Sequence, residues 1–108
     1  MKTPISLYIP IHNHPGLLSY VLDSCIDIID ELVFIDGAYE GMTPWFNLIG
    51  KDSSKSDEET LNLIESYKDK INIVYHNGIW KNEPDKHLFG FKACKNNIVL
   101  TIDTDEPF

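Results

Sequence analysis

The sequence predicts an α/β fold in which a mostly parallel sheet carries helices on both of its faces. Short apolar runs rich in β-branched residues alternate with stretches in which apolar residues recur every three to four positions. The predicted order is βαβαβαβ, and such alternation is typical of parallel strands joined by right-handed helical crossovers. The chain has 108 residues, of which 43% are hydrophobic. This length predicts one globular domain over residues 1–108.

Two strands joined by a helix are predicted in the first third of the chain. Residues 5–11 alternate between apolar and polar or β-branched side chains, and we expect Pro10 to end this strand. Apolar residues then follow a helical stripe over residues 17–29. The mostly apolar run 31–36 is stopped by Gly37 and suits a strand buried on both faces.

A long irregular segment comes before the second predicted helix. Residues 37–55 contain several Gly, Pro and Ser residues and predict a loop of a length that is often functional. Ser56 and Glu59 have the spacing of a capping box, which predicts a helix beginning there. Residues 71–75 form the third predicted strand.

The last two predicted elements are a helix and a strand. We expect a helix over residues 84–95, with Leu88, Phe91 and Cys94 on its apolar side. Residues 97–102 form the fourth predicted strand, and an acidic run follows it directly.

Composition excludes several classes of function. A formal net charge of −8 argues against general nucleic-acid binding, which needs a basic surface. No apolar run approaches the roughly 20 residues of a membrane span. Cys25 and Cys94 make neither a disulfide framework nor a zinc site, so we expect both to be structural and the protein to be cytoplasmic.

Polar clusters follow three of the predicted strands. They are His12-Asn13-His14, Asp36 with its glycine neighbour, and the run that contains Asp103 and Asp105. Ligands of open parallel sheets bind outside the carboxyl ends of the strands, so these clusters are expected to converge. Asp103 and Asp105 are two positions apart, and two carboxylates at this spacing suit a hard divalent cation such as Mg²⁺ or Mn²⁺.

Each candidate also has a plainer structural interpretation. Residues 103–105 could form a solvated acidic turn, and residues 12–14 could cap a helix with partly exposed histidines rather than bind metal. Trp45 and Phe46 could stack on a base or sugar, or could plug the long loop. Lys86 could face a diphosphate, or could be a surface lysine.

Four segments in their order and spacing resemble a known family. They are Ser-Leu-Tyr-Ile-Pro-Ile-His-Asn at 6–13, Leu-Val-Phe-Ile-Asp-Gly at 32–37, Asn-Glu-Pro-Asp-Lys-His at 82–87, and 97–106 with its Asp-x-Asp-Glu. Together they resemble the amino-terminal half of a family 2 glycosyltransferase, nearest to the subgroup with Asp-x-Asp-Glu. The resemblance covers nearly all of the chain. It implies the Rossmann-like GT-A nucleotide-diphospho-sugar transferase fold, truncated after the Asp-x-Asp motif.

The resemblance implies a nucleotide-diphosphate sugar as ligand, with UDP as the expected nucleotide. Pro10 and Asn13 would shape the wall near the nucleoside, and Asp36 would hydrogen-bond the base. Lys86 would lie near the phosphates. The chain departs from the family pattern at Ile35, where the family has a second acid.

The resemblance also implies a divalent cation, Mn²⁺ or Mg²⁺. Asp103 would bind the ribose and contribute to the metal site, and Asp105 would be the principal ligand of the cation. The expected activity is transfer of the sugar to an acceptor hydroxyl. In the family the acceptor site and the base lie in the following half, so no catalytic base is assigned. The alternative is a non-catalytic or split nucleotide-sugar-binding module that acts with a partner chain. A nucleotidyltransferase would need a Gly-rich basic loop after the first strand, which this sequence lacks.

Overall fold

The computed structural model describes residues 4–12 and 15–102 of the chain. The elements, in chain order, are β1 (Ile5–Ile11), α1 (Pro15–Cys25), β2 (Glu31–Asp36), a 3₁₀ helix (Glu40–Met42), α2 (Thr43–Leu48), α3 (Glu58–Ser66), β3 (Asn72–Asn77), α4 (Glu83–Ala93) and β4 (Ile98–Thr101). The predicted alternation of strands and helices is therefore confirmed.

The four strands form one sheet in the order β3-β2-β1-β4, and every pairing is parallel. The chain adds β2 and β3 on one side of β1 and then returns to place β4 on the other side. A topological switch point therefore lies between β1 and β4, which is where open parallel sheets bind ligands.

Helices cover both faces of the sheet. Alternate residues of the central strands, such as Leu7, Ile9 and Phe34, pack with α1 and α3. The intervening residues, such as Tyr8 and Val33, belong to a second cluster that includes the end of α4. Burial of both faces explains the nearly continuous apolar sequence of β2. None of the helices in the described ranges combines the length and apolar character needed to cross a bilayer.

Helix α4 buries a different face from the one predicted. Leu88 and Phe91 are 51% and 57% exposed, whereas Lys86 and Gly90 are fully or almost fully buried. Gly90 lies directly against the sheet: a Cβ at this position would be 2.5 Å from the Tyr8 ring, too close for any side chain. A small residue at this position lets the helix approach the sheet closely. Leu88 and Phe91 of the predicted apolar side therefore face outward, whereas Cys94, which follows the helix, packs against the second cluster.

Three local predictions in the first two thirds of the chain are also corrected. The segment predicted as a loop contains the 3₁₀ helix and α2. The cap of α3 is Asp57, whose side chain accepts from the Thr60 N–H at 3.1 Å, and Ser56 is not the cap. Pro10 does not end β1, because it pairs with Ile35 inside the strand. The register with β4 stops at Tyr8, so Pro10 lies beyond the last described residue pair on that side.

Candidate functional site

Asp36 is a fully buried carboxylate at the carboxyl end of β2. Its Oδ2 accepts hydrogen bonds from the Ser56 backbone N–H at 2.6 Å and from the Tyr75 hydroxyl at 2.5 Å. Its Oδ1 accepts a hydrogen bond from the Ser56 hydroxyl at 2.7 Å. Charge-assisted bonds of this kind compensate the loss of hydration that burial imposes on a carboxylate. Burial, reinforced by the Asp36 carboxylate, raises the pKa of Tyr75 far above its ordinary value, so its hydroxyl remains a donor.

The backbone around Asp36 is fixed as firmly as its side chain. Its carbonyl oxygen accepts from the indole N–H of Trp80 at 2.8 Å and from the Gly78 N–H at 3.1 Å. The next residue, Gly37, has a φ of 118°, and a Cβ there would lie 1.7 Å from the Gly78 carbonyl oxygen. Only glycine fits this conformation and this approach of two chain segments.

Lys86 joins the ends of the two central strands. Its side chain is fully buried, and Nζ donates to the carbonyl oxygens of Ile11 at 3.0 Å and Gly37 at 2.9 Å. Nζ also lies 5.3 Å from the centre of the Tyr39 ring. The interpretation of Lys86 as a surface lysine is therefore wrong. Its ammonium group supplies positive charge at the carboxyl edge of the sheet.

Residues 37–56, which we call the covering segment, fold over this edge. The His12 Nε2 contacts the carbonyl oxygens of Asp52 at 2.9 Å and Lys55 at 3.1 Å, and since both are acceptors this nitrogen carries the proton. The His12 ring also packs edge-to-face on Phe46, with the ring centres 4.5 Å apart. His12 is buried, contrary to the prediction that it is partly exposed. Trp45, which precedes Phe46 in α2, is 54% exposed.

Three of the predicted binding residues come together at the carboxyl edge. Pro10 and Asp36 lie on neighbouring strands, and Lys86 reaches the carbonyl groups next to both of them. The other predicted positions, Asn13, Asp103 and Asp105, lie outside the described residues.

Sequence reasoning missed the two residues that hold the Asp36 carboxylate. Ser56 and Tyr75 are 20 and 39 positions from Asp36, so no local spacing connects them to it. For Tyr75 the one available signal is strand alternation. Tyr75 is two positions from Ile73, so both side chains point to the same face of the sheet, and both pack against the same hydrophobic cluster.

The cation implied by the resemblance depends on Asp103 and Asp105. In ranges 4–12 and 15–102, no three His, Cys, Asp or Glu side chains form a group that could hold a metal ion. The chemistry of the two aspartates suits a hard cation, which takes oxygen ligands and binds through one or two carboxylates together with phosphate oxygens.

Both cysteines have the structural role that was predicted. Cys25 is buried in the core beside α3, and burial raises the pKa of its thiol. Burial and the nearby Glu31 carboxylate raise the pKa of Cys94 to about 11. Both thiols are therefore protonated at neutral pH and are poor nucleophiles.

The comparisons with known proteins assign no family. No protein-family model matches the chain, and no curated protein has significant sequence similarity to it.

Proposed function

We propose that this chain binds a nucleoside diphosphate sugar together with a divalent cation at the carboxyl edge of its sheet, as the donor-binding part of a glycosyltransferase. The observation that carries the proposal is the strand order. A parallel sheet with the order 3-2-1-4 has its switch point between β1 and β4, and Asp103 and Asp105 follow β4 within four residues of Thr101.

The described residues at this edge support the proposal through shape and charge. Pro10 lies beyond the last described residue pair of β1 with β4 and has no backbone N–H, so β1 offers no donor at this position. The ammonium group of Lys86 lies at the same carboxyl edge, between the ends of β1 and β2. This positive charge favours an anionic ligand in a chain whose net charge is −8.

Asp36 has a restricted part in this proposal. Its carboxylate already accepts three hydrogen bonds from Ser56 and Tyr75. Oδ1 accepts only one of these bonds, but the carboxylate is fully buried, so a base N–H can reach it only if the residues that cover it move. Without that change, Asp36 acts by holding the covering segment and the Gly37 turn in place beside the nucleotide.

The proposed reaction is displacement at the anomeric carbon of the sugar. An acceptor hydroxyl forms the new C–O bond and loses its proton, while the bond to the nucleoside diphosphate breaks. The cation, held by Asp103 and Asp105, would offset the negative charge that develops on the leaving diphosphate. The residues of this chain bind and orient the donor for that step.

Calorimetric titration of the chain with UDP, with and without Mn²⁺, tests the proposal. We expect binding that requires Mn²⁺, and at least a roughly tenfold loss of affinity in Asp105→Asn, because the amide does not supply the anionic oxygen that the cation needs. Asp69→Asn, an exposed aspartate in the turn before β3, is the matched control and should bind as the wild type does.

Two results would contradict the proposal. One is the absence of Mn²⁺-dependent UDP binding by a folded chain, and the other is equal binding by Asp105→Asn and wild type. An assay of UDP release from UDP-glucose then separates the two levels of the proposal. Binding without any release would support a donor-binding module and contradict transferase activity of this chain.

A further inference from the structure

A second binding region lies in the covering segment. Between α2 and the end of this segment there is an open cleft of about 470 Å³. That volume falls within the range typical of small-molecule sites. The residues that line it and bear on the argument are Thr43, Asn47, Lys51, Asp52, Ser53 and Ile79.

Ser53 is the feature that most needs an explanation in this cleft. The residue is 7% exposed, and its hydroxyl has no hydrogen-bond partner in the described part of the protein. Its backbone carbonyl, in contrast, accepts from the Ala38 N–H at 2.7 Å, so the backbone is fixed while the hydroxyl is unsatisfied. Buried polar groups without partners are rare, and a bound ligand is one way to satisfy them. The hydroxyl oxygen is itself buried in the position that the structure shows, so a ligand in the cleft would meet it after rotation about the Cα–Cβ bond, which moves a serine hydroxyl between staggered positions.

The other polar side chains that line the cleft include both hydrogen-bond donors and hydrogen-bond acceptors. Thr43 donates its hydroxyl hydrogen to the Glu40 carbonyl at 2.8 Å, so toward the cleft it can only accept. Asn47 offers both an amide N–H and a carbonyl oxygen, and Lys51 offers an ammonium donor. Hydrogen bonds from Ser54 hold the pKa of Asp52 below its ordinary value, so this side chain is an anionic acceptor at neutral pH.

This lining has a definite preference in ligand chemistry. Lys51 and Asp52 cancel in charge, so the cleft favours neither a dianion nor a cation. Hydroxyl groups donate and accept at the same time, and a mixed set of amide, hydroxyl, ammonium and carboxylate groups matches several of them together. Ile79 adds an apolar surface for C–H groups.

We propose that this cleft binds a neutral, hydroxyl-rich small molecule of monosaccharide size. The proposal does not depend on nucleotide binding, because Pro10, Asp36 and Lys86 do not line the cleft. It therefore assigns a further site, lined by the covering segment and Ile79.

NMR titration of the isotope-labelled chain tests this site. The probes are glucose, galactose, N-acetylglucosamine and myo-inositol, each added alone up to about 50 mM, since isolated sugars are expected to bind with millimolar constants. We expect at least one probe to shift backbone amide signals of the residues in 43–54 other than Pro44, and of Ile79. We expect Ser53→Ala and Asn47→Ala each to weaken that binding at least threefold.

The controls separate loss of the site from loss of the fold. Ser53→Ala removes a hydroxyl that makes no hydrogen bond in the described structure, so its melting temperature should equal or exceed that of the wild type. Asn62→Ala, on the exposed side of α3, makes the same chemical change as Asn47→Ala and should leave sugar binding unchanged.

Three outcomes would overturn the proposal. They are the absence of shifts with all four probes, shifts located outside the cleft, and tighter binding of inorganic phosphate or glycine than of any polyol. None of these experiments contains UDP or Mn²⁺. A failure here therefore leaves the nucleotide proposal standing, and a failure of UDP binding leaves this one standing.

Discussion

Strand β2 begins and ends with a buried carboxylate, and the two carboxylates lie on opposite faces of the sheet. Glu31 and Asp36 are 2% and 0% exposed. Glu31 accepts hydrogen bonds on Oε1 from the Ser6 hydroxyl at 2.7 Å and from the Lys95 N–H at 3.0 Å. Asp36 similarly accepts from one serine hydroxyl and one backbone N–H, with the Tyr75 hydroxyl in addition.

The two carboxylates hold different parts of the chain. Glu31 binds the connection between α4 and β4, and the Ser6 hydroxyl that donates to it also accepts from the Asn96 N–H at 3.3 Å. This network fixes the start of β4 beside β1. Asp36 instead fixes the covering segment over the carboxyl edge. Because parallel sheets bind ligands at the carboxyl edge, burial of a carboxylate does not by itself indicate a site, and the edge on which it lies decides the interpretation.

Among the substitutions considered, Asp36→Ala is expected to reduce the free energy of unfolding most. Asp36→Ala leaves three donors of Ser56 and Tyr75 without their acceptor and also leaves a small cavity, so we expect a loss of about 4 kcal/mol in the free energy of unfolding. Asp36→Asn should cost only about 1 kcal/mol, because the amide oxygen can accept on one side and the amide N–H can donate to the Ser56 hydroxyl.

Urea denaturation measures both Asp36 variants, with Asp69→Ala as the exposed control. Equal losses in Asp36→Ala and Asp36→Asn would show that charge rather than hydrogen bonding is decisive. A loss in Asp36→Ala below about 1 kcal/mol would contradict the view that these three bonds hold the covering segment.

A smaller effect is expected at the other end of the strand. Glu31→Ala removes the acceptor of two bonds that share one oxygen, and the Lys95 residue is exposed enough for water to replace the carboxylate, so we expect a loss of about 2 kcal/mol. Glu59→Ala, on the exposed surface of α3, is the matched control. If Mn²⁺-dependent UDP binding is found, it should be unchanged in Glu31→Ala. Equal loss of that binding in the Glu31 and Asp36 alanine variants would remove the distinction between the two edges.

The sequence predicts the sheet well because its evidence is local. Each strand is a short run of β-branched and aromatic residues, and the alternation of strands with helices restricts the topology to parallel crossovers. The position of His12 and Asp36 at one edge follows from the same rule, since the ends of parallel strands meet there and Ile11, next to His12, pairs with Asp36.

The errors occur where distant contacts decide the structure. Helix α4 was predicted to bury its large apolar residues, but the Tyr8 ring requires Gly90 against the sheet, and Lys86 bonds to carbonyl groups of two strands. Ser56 has the local spacing of a helix cap, yet its hydroxyl binds Asp36 instead. Neither outcome can be seen in a window of neighbouring residues, because the competing partner is far away in sequence.

Among the sites tested, Tyr75 is expected to have the smallest effect on the free energy of unfolding, and its variant isolates the third hydrogen bond that Asp36 accepts. Tyr75→Phe removes one hydrogen bond to Asp36 from a partly buried ring and should cost about 1 kcal/mol at pH 7, with Tyr20→Phe on the exposed side of α1 as control.

Folding raises the pKa of Tyr75, chiefly through burial and secondly through Asp36. Its contribution is therefore complete below the pKa of an unfolded tyrosine, about 10, and declines at higher pH because the unfolded chain ionises first. Denaturation curves at several pH values from 7 to about 11 should show the difference between wild type and Tyr75→Phe narrowing above pH 10. A constant difference across this range would contradict a pKa of Tyr75 that is raised on folding.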